Sequence, residues 1–294
     1  MSVPDIKLRN LSLIIFLILA VNTVNSGVFE DVQRAAKKGD PKAQYKLGVM
    51  YQSGDGVTQD SAKAIEAYQK SAQQGCVEAQ YKLGSIYFGG EDVTQNYRKA
   101  FELFQKAAKQ EHAGAQYKLG LMYHRGYGVP QSSEKAVEYY NLAATRGYAE
   151  ALFALGMMYH DGNGVVENAA TAAECFKQAA EKGLTDAQLR LAAMHYYGDF
   201  FPRNPALAVG YYEQAAAAGN PDAQLTAGNM YLLGDGVKPD YAKAFKLFKQ
   251  AADKGSTEAQ CSMGFMLFNG YGVTRNYEQA AECFKQAAEK GLSD

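Results

Sequence analysis

The stretch AQYKLGVMYQSGDGV at residues 43–57, followed by AIEAYQKSAQQG at residues 64–75, decides the fold of this 294-residue chain. Its opening pattern, Ala-x-x-x-Leu-Gly, returns every 36 residues. The first copies begin at Ala43, Ala79, Ala115 and Ala151, and weaker copies begin at Ala187, Ala223 and Ala259. The second half carries an aromatic residue in the same register, at Tyr68, Phe104, Tyr140, Phe176, Tyr212, Phe248 and Phe284. Seven units therefore fill residues 40–291 without a gap.

Each unit has the pattern of two helices. In the first half Ala43, Leu47 and Tyr51 are spaced four residues apart, which places them on one helical face, and the second half repeats this spacing. Polar residues that cap helix starts precede the second helix of most units, at Asp60, Asn96, Ser132, Asn168, Asp240 and Asn276. We therefore expect a helical hairpin in each unit, which we divide into helix A and helix B.

Glycines recur where each helix is expected to end. After helix A they stand at Gly54, Gly90, Gly126, Gly162, Gly198, Gly234 and Gly270, and after helix B at Gly39, Gly75, Gly147, Gly183, Gly219, Gly255 and Gly291. A left-handed residue commonly ends a helix, and glycine adopts that conformation without steric cost. A further glycine within helix A, such as Gly48, is expected to let the two helices approach closely.

Taken together, Ala43 to Val57 and Ala64 to Gly75 resemble the Sel-1-like repeat family, whose members are related to tetratricopeptide repeats. The resemblance implies an all-α fold, a right-handed α/α superhelical solenoid of seven 36-residue helix-turn-helix repeats. It also implies a concave surface that binds a protein or peptide, and bacterial members are often exported and act in host-cell interaction or envelope assembly. Cysteine-rich members join helices through cysteines eight residues apart, a spacing that this chain lacks.

The N-terminal segment has the pattern of a signal peptide. Lys7 and Arg9 precede the apolar stretch from Leu11 to Val21, and small residues near Ser26 suit cleavage before Gly27. We expect residues 1–26 to be a signal peptide, with an uncleaved membrane anchor as the alternative, and the mature chain to be secreted or periplasmic. Residues 27–39 are expected to form an N-terminal capping helix, and residues 292–294 to begin an incomplete next repeat. That uncapped end favours a chain that continues, or coverage by a partner or a second copy.

Charge gives no reason to expect nucleic acid or an acidic membrane as the main partner, because 30 Lys and Arg residues balance 31 Asp and Glu residues. A membrane contact is expected only through the N-terminal segment if it stays uncleaved. The four cysteines do not form a zinc-binding spacing. Cys175 and Cys283 share a repeat position that is apolar elsewhere, so we expect them to be buried and unpaired, with a disulfide between Cys261 and Cys283 as the alternative.

The candidate partner-binding residues lie two and nine positions after the alanine that opens each helix A, with a second candidate in the unusual fifth loop. They are Tyr45, Tyr81, Phe88, Tyr117, His124, Phe153, His160, Tyr196, Phe200 and Phe201. Aromatic rings offer a large contact area at low entropic cost. The alternative is that these rings only pack between neighbouring helices, and that the Phe200-Phe201 loop folds inward to replace the valine of the other loops.

An enzyme is not expected. Ser132 opens a Ser-x-x-Lys sequence found in penicillin-binding enzymes and other hydrolases, but the companion motifs are absent and the residue stands at a helix-capping position. His124 and His160 occupy equivalent positions without a third ligand in register, so no metal and no cofactor is expected. A non-catalytic scaffold is the main interpretation, and the alternatives are a hydrolase or penicillin-binding-type enzyme and a self-assembling structural array.

Overall fold

The structure is a computed structural model, and it describes residues 27–199 and 201–291. Every regular element within these ranges is a helix, and none is a strand. The predicted signal peptide, residues 1–26, lies outside the described residues, as do Phe200 and residues 292–294. Contacts divide the chain into two compact units, Met1–Arg146 and Gly147–Asp294, and each is considered by itself.

The first unit contains seven described helices. A helix over residues 27–37, α1, precedes three hairpins formed by α2 (Pro41–Ser53) with α3 (Ser61–Gln73), α4 (Val77–Gly89) with α5 (Tyr97–Lys109), and α6 (Ala113–Arg125) with α7 (Ser133–Ala144). Helix α1 occupies the position of a helix B, because the Gln44 Nε2 atom of α2 donates to the Ala36 carbonyl (3.2 Å) as Gln80 of α4 donates to Ala72 (3.2 Å).

The second unit contains four hairpins built in the same way. They are α8 (Ala149–Asp161) with α9 (Ala169–Glu181), α10 (Thr185–Tyr197) with α11 (Pro205–Ala217), α12 (Pro221–Leu233) with α13 (Tyr241–Asp253), and α14 (Thr257–Asn269) with α15 (Tyr277–Glu289). The predicted all-α repeat fold is confirmed. No helix within the described ranges is both long enough and apolar enough to cross a bilayer.

The sequence signals for helix ends act as predicted. Asp60, for example, accepts a hydrogen bond from the Lys63 amide (3.0 Å) at the start of α3, and Gly54 ends α2 with a φ of 76°. The fifth repeat adds a cap that the pattern did not predict, because Asn204 accepts from the Leu207 amide (3.1 Å) at the start of α11. These local signals fix the 13-residue length of nearly every helix in the described hairpins.

The core runs between the two helices of each hairpin. The helix B aromatics Tyr68, Phe104, Tyr140, Phe176 and Phe248 are almost completely buried, and so are most of the repeated alanines. Each of these rings lies against the glycine within helix A of its own repeat, as the small residue there predicts. The candidate residues Tyr45, Tyr81 and Phe88 of helix A lie beside these same rings.

Candidate functional site

The first row of candidates, two positions after the repeat alanine, lies against the buried ring of its own repeat. The ring centroids of Tyr45, Tyr81, Tyr117 and Phe153 stand 5.5–5.9 Å from those of Tyr68, Phe104, Tyr140 and Phe176. All four candidate rings are half-buried. Each therefore contributes to hairpin packing and still leaves part of its surface accessible, so packing and ligand contact are compatible at these positions.

The second row of candidates lies nine positions after the repeat alanine, which is seven residues beyond the first row on helix A. Its side chains contact the same buried rings. Phe88 stands 6.3 Å from Phe104, and His124 stands 6.3 Å from Tyr140, with its Nδ1 atom 3.4 Å from the Tyr140 hydroxyl. The structure therefore brings Tyr81 and Phe88 together around one ring, as the seven-residue spacing along a helix predicts.

A lysine connects the candidates of neighbouring repeats in the first unit. The Lys118 ammonium group lies 5.3 Å from the centroid of Phe88 and 5.9 Å from that of Tyr117. A cation over aromatic faces is attracted by their quadrupoles, by about 0.5–1 kcal/mol at exposed sites. This contact joins helices α4 and α6 into one surface with aromatic and basic character.

Two tyrosines that the pattern did not single out extend this surface. Tyr97 at the start of α5 stacks on Tyr127 in the loop after α6, with centroids 5.0 Å apart, and both contact Phe88, at 5.3 and 5.7 Å. We call Tyr81, Phe88, Tyr97, Tyr117, His124, Tyr127 and Lys118 the aromatic surface. The pairing joins different repeats, and Gly128 beside Tyr127 permits it, since a Cβ there would lie 2.7 Å from the Cβ of Tyr97.

In the second unit the candidates His160 and Tyr196 meet charged partners. Arg190 donates to the Nε2 atom of His160, and the Nδ1–H group of His160 donates to Asp161 (2.6 Å). The Arg203 guanidinium lies 5.2 Å from the centroid of Tyr196 and forms two hydrogen bonds with Asp235 at 2.8 and 3.0 Å. These candidates therefore belong to polar networks, in contrast with the aromatic surface of the first unit.

The unusual fifth loop is described only in part, because Phe200 lies outside the described residues. Phe201 is half-buried, and its ring lies 6.0 Å from that of His195 at an angle of 27°. Its sequence position is that of the loop valine in other repeats. The contact with α10 therefore favours the packing alternative for Phe201.

Burial shifts the ionisation of several tyrosines. It raises the pKa of Tyr45, with smaller contributions from Glu78 and Cys76, and it raises the pKa of Tyr212 to about 12. The pKa of Tyr196 is raised chiefly by its hydrogen bond to Asp235 and then by burial. These hydroxyl groups therefore stay protonated at neutral pH and act as neutral hydrogen-bond donors.

The residues with possible chemical roles have structural partners. The Ser132 hydroxyl donates to Glu134 (3.0 Å) and accepts from the Lys135 amide (3.3 Å), which is the geometry of a helix cap. All four cysteines are free, and burial raises the pKa of the Cys175 thiol to about 11. Within the described residues no three His, Cys, Asp or Glu side chains group together as metal ligands would.

Repeated helical hairpins with half-buried aromatics along helix A define an all-α repeat protein. The Sel1 repeat model matches residues 41–76, 77–112, 113–148, 149–184, 185–220, 221–256 and 257–292. The chain belongs to the Sel1 repeat family. Sel1 repeat proteins are generally protein-interaction scaffolds that bind proteins or peptides, and the fold is typically non-catalytic.

Several solved structures are similar to this chain, among them the following two. A protective antigen of uropathogenic Escherichia coli with an SLR fold is 34% identical, with a TM-score of 0.83 over 90% of this chain and 56% of that one. A Sel1 repeat protein from Oxalobacter formigenes is 30% identical, with a TM-score of 0.74 over 93% of this chain and 82% of that one. The chain thus spans little more than half the length of the E. coli antigen. No significant match to a curated protein is found.

Proposed function

We propose that this protein is a non-catalytic scaffold that binds a protein or peptide partner through helix A side chains, with the aromatic surface of the first unit as the main contact. The observation that carries the proposal is the contact of Lys118 with both Phe88 and Tyr117. It joins two repeats into a surface of half-buried rings beside a positive charge. Family membership supports the general role, since Sel1 repeat proteins generally bind other proteins.

The chemistry of the aromatic surface suits a polypeptide. Tyr81 and Tyr117 present rings held in place by packing against helix B, so little conformational entropy is lost when a partner covers them. Lys118 adds an attraction for a carboxylate on the partner. Interfaces derive most of their affinity from a few such aromatic anchors.

The experiment that tests the proposal places a photoreactive benzoylphenylalanine at position 88 and, in a matched control, at position 142. Leu142 lies on α7 of the same unit and is 40% exposed, so it samples the helix B side of the molecule. We expect discrete adducts with one polypeptide from position 88 in envelope or host-cell extracts, and none with that polypeptide from position 142. Equal labelling from both positions, or labelling only from position 142, would contradict the proposal.

We further propose that the protein acts outside the cytoplasm, as a secreted or periplasmic protein. The support is the sequence of residues 1–26, in which Lys7 and Arg9 precede an apolar stretch. N-terminal sequencing of the mature protein from cell fractions tests this. We expect the mature protein to begin at Gly27 in the periplasmic or secreted fraction, whereas a full-length chain in the membrane fraction would indicate an anchor instead.

A further inference from the structure

In six of the seven repeats a buried glutamine follows the repeat alanine of helix A. We call these residues the glutamine row. The residues are Gln44, Gln80, Gln116, Gln188, Gln224 and Gln260, each at most 8% exposed. In five of them the Nε2 atom donates to a backbone carbonyl eight residues earlier, at 3.1–3.4 Å. This hydrogen bond fixes the orientation of the carboxamide, so the Oε1 atom points away from that carbonyl and needs a donor of its own.

The first two repeats supply that donor from their own chain. The Gln74 Nε2 atom lies 2.7 Å from Gln44 Oε1, and the Gln110 Nε2 atom lies 3.0 Å from Gln80 Oε1. Gln110 also donates to the Gly75 carbonyl (3.2 Å). A primary carboxamide thus fills the position, with its NH₂ group shared between two oxygen acceptors.

The third, fifth, sixth and seventh repeats lack this donor among the described residues, and the sixth shows what takes its place. Lys254 stands where Gln110 stands in the second repeat, and its ammonium group donates to the Gly219 carbonyl, the equivalent of Gly75. Among the residues that the structure describes, none donates to the Gln224 Oε1 atom, although Gln224 is only 3% exposed. A buried acceptor without a donor is destabilising, so a preference for a donor remains at this point.

Gln224 lines a groove of the second unit. The groove has a volume of about 930 Å³ and runs between α11 and α13, with Glu213, Lys243, Lys246, Leu247 and Lys254 among its lining residues. The equivalent groove around Gln44, where Gln74 fills the position, has a volume of only about 240 Å³. Gln116 Oε1 also lacks a partner, but the groove beside Gln116 has a volume of only about 230 Å³, so among these three grooves the one at Gln224 combines an unpartnered acceptor with the larger space.

We infer that this groove is a second binding site, distinct from the aromatic surface, and that it takes a glutamine side chain presented by a partner polypeptide. The carboxamide of that side chain donates to Gln224 Oε1, as Gln110 does to Gln80. Lys254 lines the same groove as Gln224, and its ammonium group disfavours a lysine or arginine donor close to it through like-charge repulsion, whereas a neutral N–H group is not repelled. The inference does not depend on the proposed function of the aromatic surface.

The test uses protein labelled with ¹⁵N at glutamine and a blocked tripeptide, Ala-Gln-Ala, followed by NMR. We expect a saturable shift of the Gln224 side-chain amide signals in the millimolar range, because so small a ligand makes few contacts. The matched probes Ala-Glu-Ala and Ala-Met-Ala have nearly the same shape and lack the side-chain N–H donor, and we expect them to produce no such shift. A Gln224→Met variant assigns the signals.

Two variants at position 254 separate this site from a direct role of the lysine. Lys254→Gln is expected to supply the missing donor from the chain itself and to abolish binding, whereas Lys254→Met removes the ammonium group without supplying a donor and is expected to retain binding. Gln110→Lys is expected to create a new tripeptide site at Gln80 in the first unit. Circular dichroism checks that each variant is folded.

The inference is overturned by three results. The first is no saturable shift at Gln224, as expected if water alone satisfies its Oε1 atom. The second is an equal response to the glutamate or methionine tripeptide. The third is retained binding in Lys254→Gln. None of these results bears on photocrosslinking at position 88, so the two sites are tested separately.

Discussion

The ring of Phe176 lies so close to Gly156 that a Cβ atom on Gly156 would stand 2.6 Å from the Cε1 atom of Phe176 and 3.2 Å from the Ala172 carbonyl oxygen. Phe176 is fully buried, so its ring has no free space into which to move. We expect Gly156→Ala to lower the free energy of unfolding by about 1–3 kcal/mol through overpacking. Chemical denaturation followed by circular dichroism measures the change.

Gly210 provides the matched control for this substitution. It lies within α11 of the same unit, and a Cβ atom there would meet nothing within 4 Å. Gly210→Ala should therefore raise the free energy of unfolding by about 0.5–1 kcal/mol, because alanine is the better helix former. Equal effects of the two substitutions would show that helix propensity, rather than contact with Phe176, decides the result.

The sequence could predict the features that depend on local signals, but not the contacts between repeats. Helix boundaries depend on local signals such as Asp60 and Gly54, and the 36-residue period multiplies each signal sevenfold, so the hairpins were predictable. The Tyr97–Tyr127 stack joins different repeats, and no spacing within a single helix indicates it. The buried glutamines were equally hidden, because a polar residue beside the repeat alanine has the pattern of a solvent-facing position.

The second repeat ends helix B without the glycine of the other repeats, and Glu111 takes its place with a φ of 65°. A non-glycine residue in this left-handed region costs about 1 kcal/mol. We expect Glu111→Gly to raise the free energy of unfolding by about 0.5–1 kcal/mol. The loss of its ion pair with Arg146 (2.9 Å) should matter little, since the Glu111 side chain is 75% exposed.

The reverse change tests the same strain at an equivalent position in the second unit. Gly183 has a φ of 86° and open space around it, so Gly183→Ala introduces backbone strain without a steric contact. The free energy of unfolding of the Gly183→Ala variant should be lower than that of the wild-type protein by about 1 kcal/mol. Thermal unfolding of Glu111→Gly and Gly183→Ala measures both changes. If Glu111→Gly is less stable than the wild-type protein, the side chain of Glu111 contributes more to stability than its backbone strain costs.

His112 should make the first unit sensitive to acid. Its Nδ1 atom accepts a hydrogen bond from the Ala115 amide (3.1 Å) and caps α6, while its ring stacks on Tyr81 with centroids 4.4 Å apart. Burial lowers the pKa of His112 below its ordinary 6.5, and nearby Glu78 partly opposes the shift. Since the unfolded chain binds the proton more readily, His112 reduces stability as the pH falls through about 6.5 and below.

Replacing His112 with Asn keeps a capping side chain and removes the titration, as Asn220 does at the start of α12. We expect the wild-type protein to lose about 1 kcal/mol more stability than His112→Asn between pH 7.5 and pH 5, the typical value of a lost helix cap. Denaturant unfolding at both pH values measures this difference. His195, whose pKa is also lowered by burial, remains in both proteins and cancels in the comparison. An identical pH dependence would count against the role of His112.

The fifth repeat offers a test of the glutamine row that needs no ligand. Gln188 is 6% exposed and its Oε1 atom has no hydrogen-bond partner, and Ala218 stands where Gln74 and Gln110 stand in the first two repeats. Ala218→Gln should place a carboxamide within reach of Gln188 Oε1 and raise the free energy of unfolding by about 1 kcal/mol. Ala218→Met adds a side chain of similar length without a donor, and it should change stability by much less. If both substitutions stabilise the protein equally, added apolar contact rather than the hydrogen bond is the cause, and the donor preference assigned to the equivalent Gln224 acceptor would lose its support.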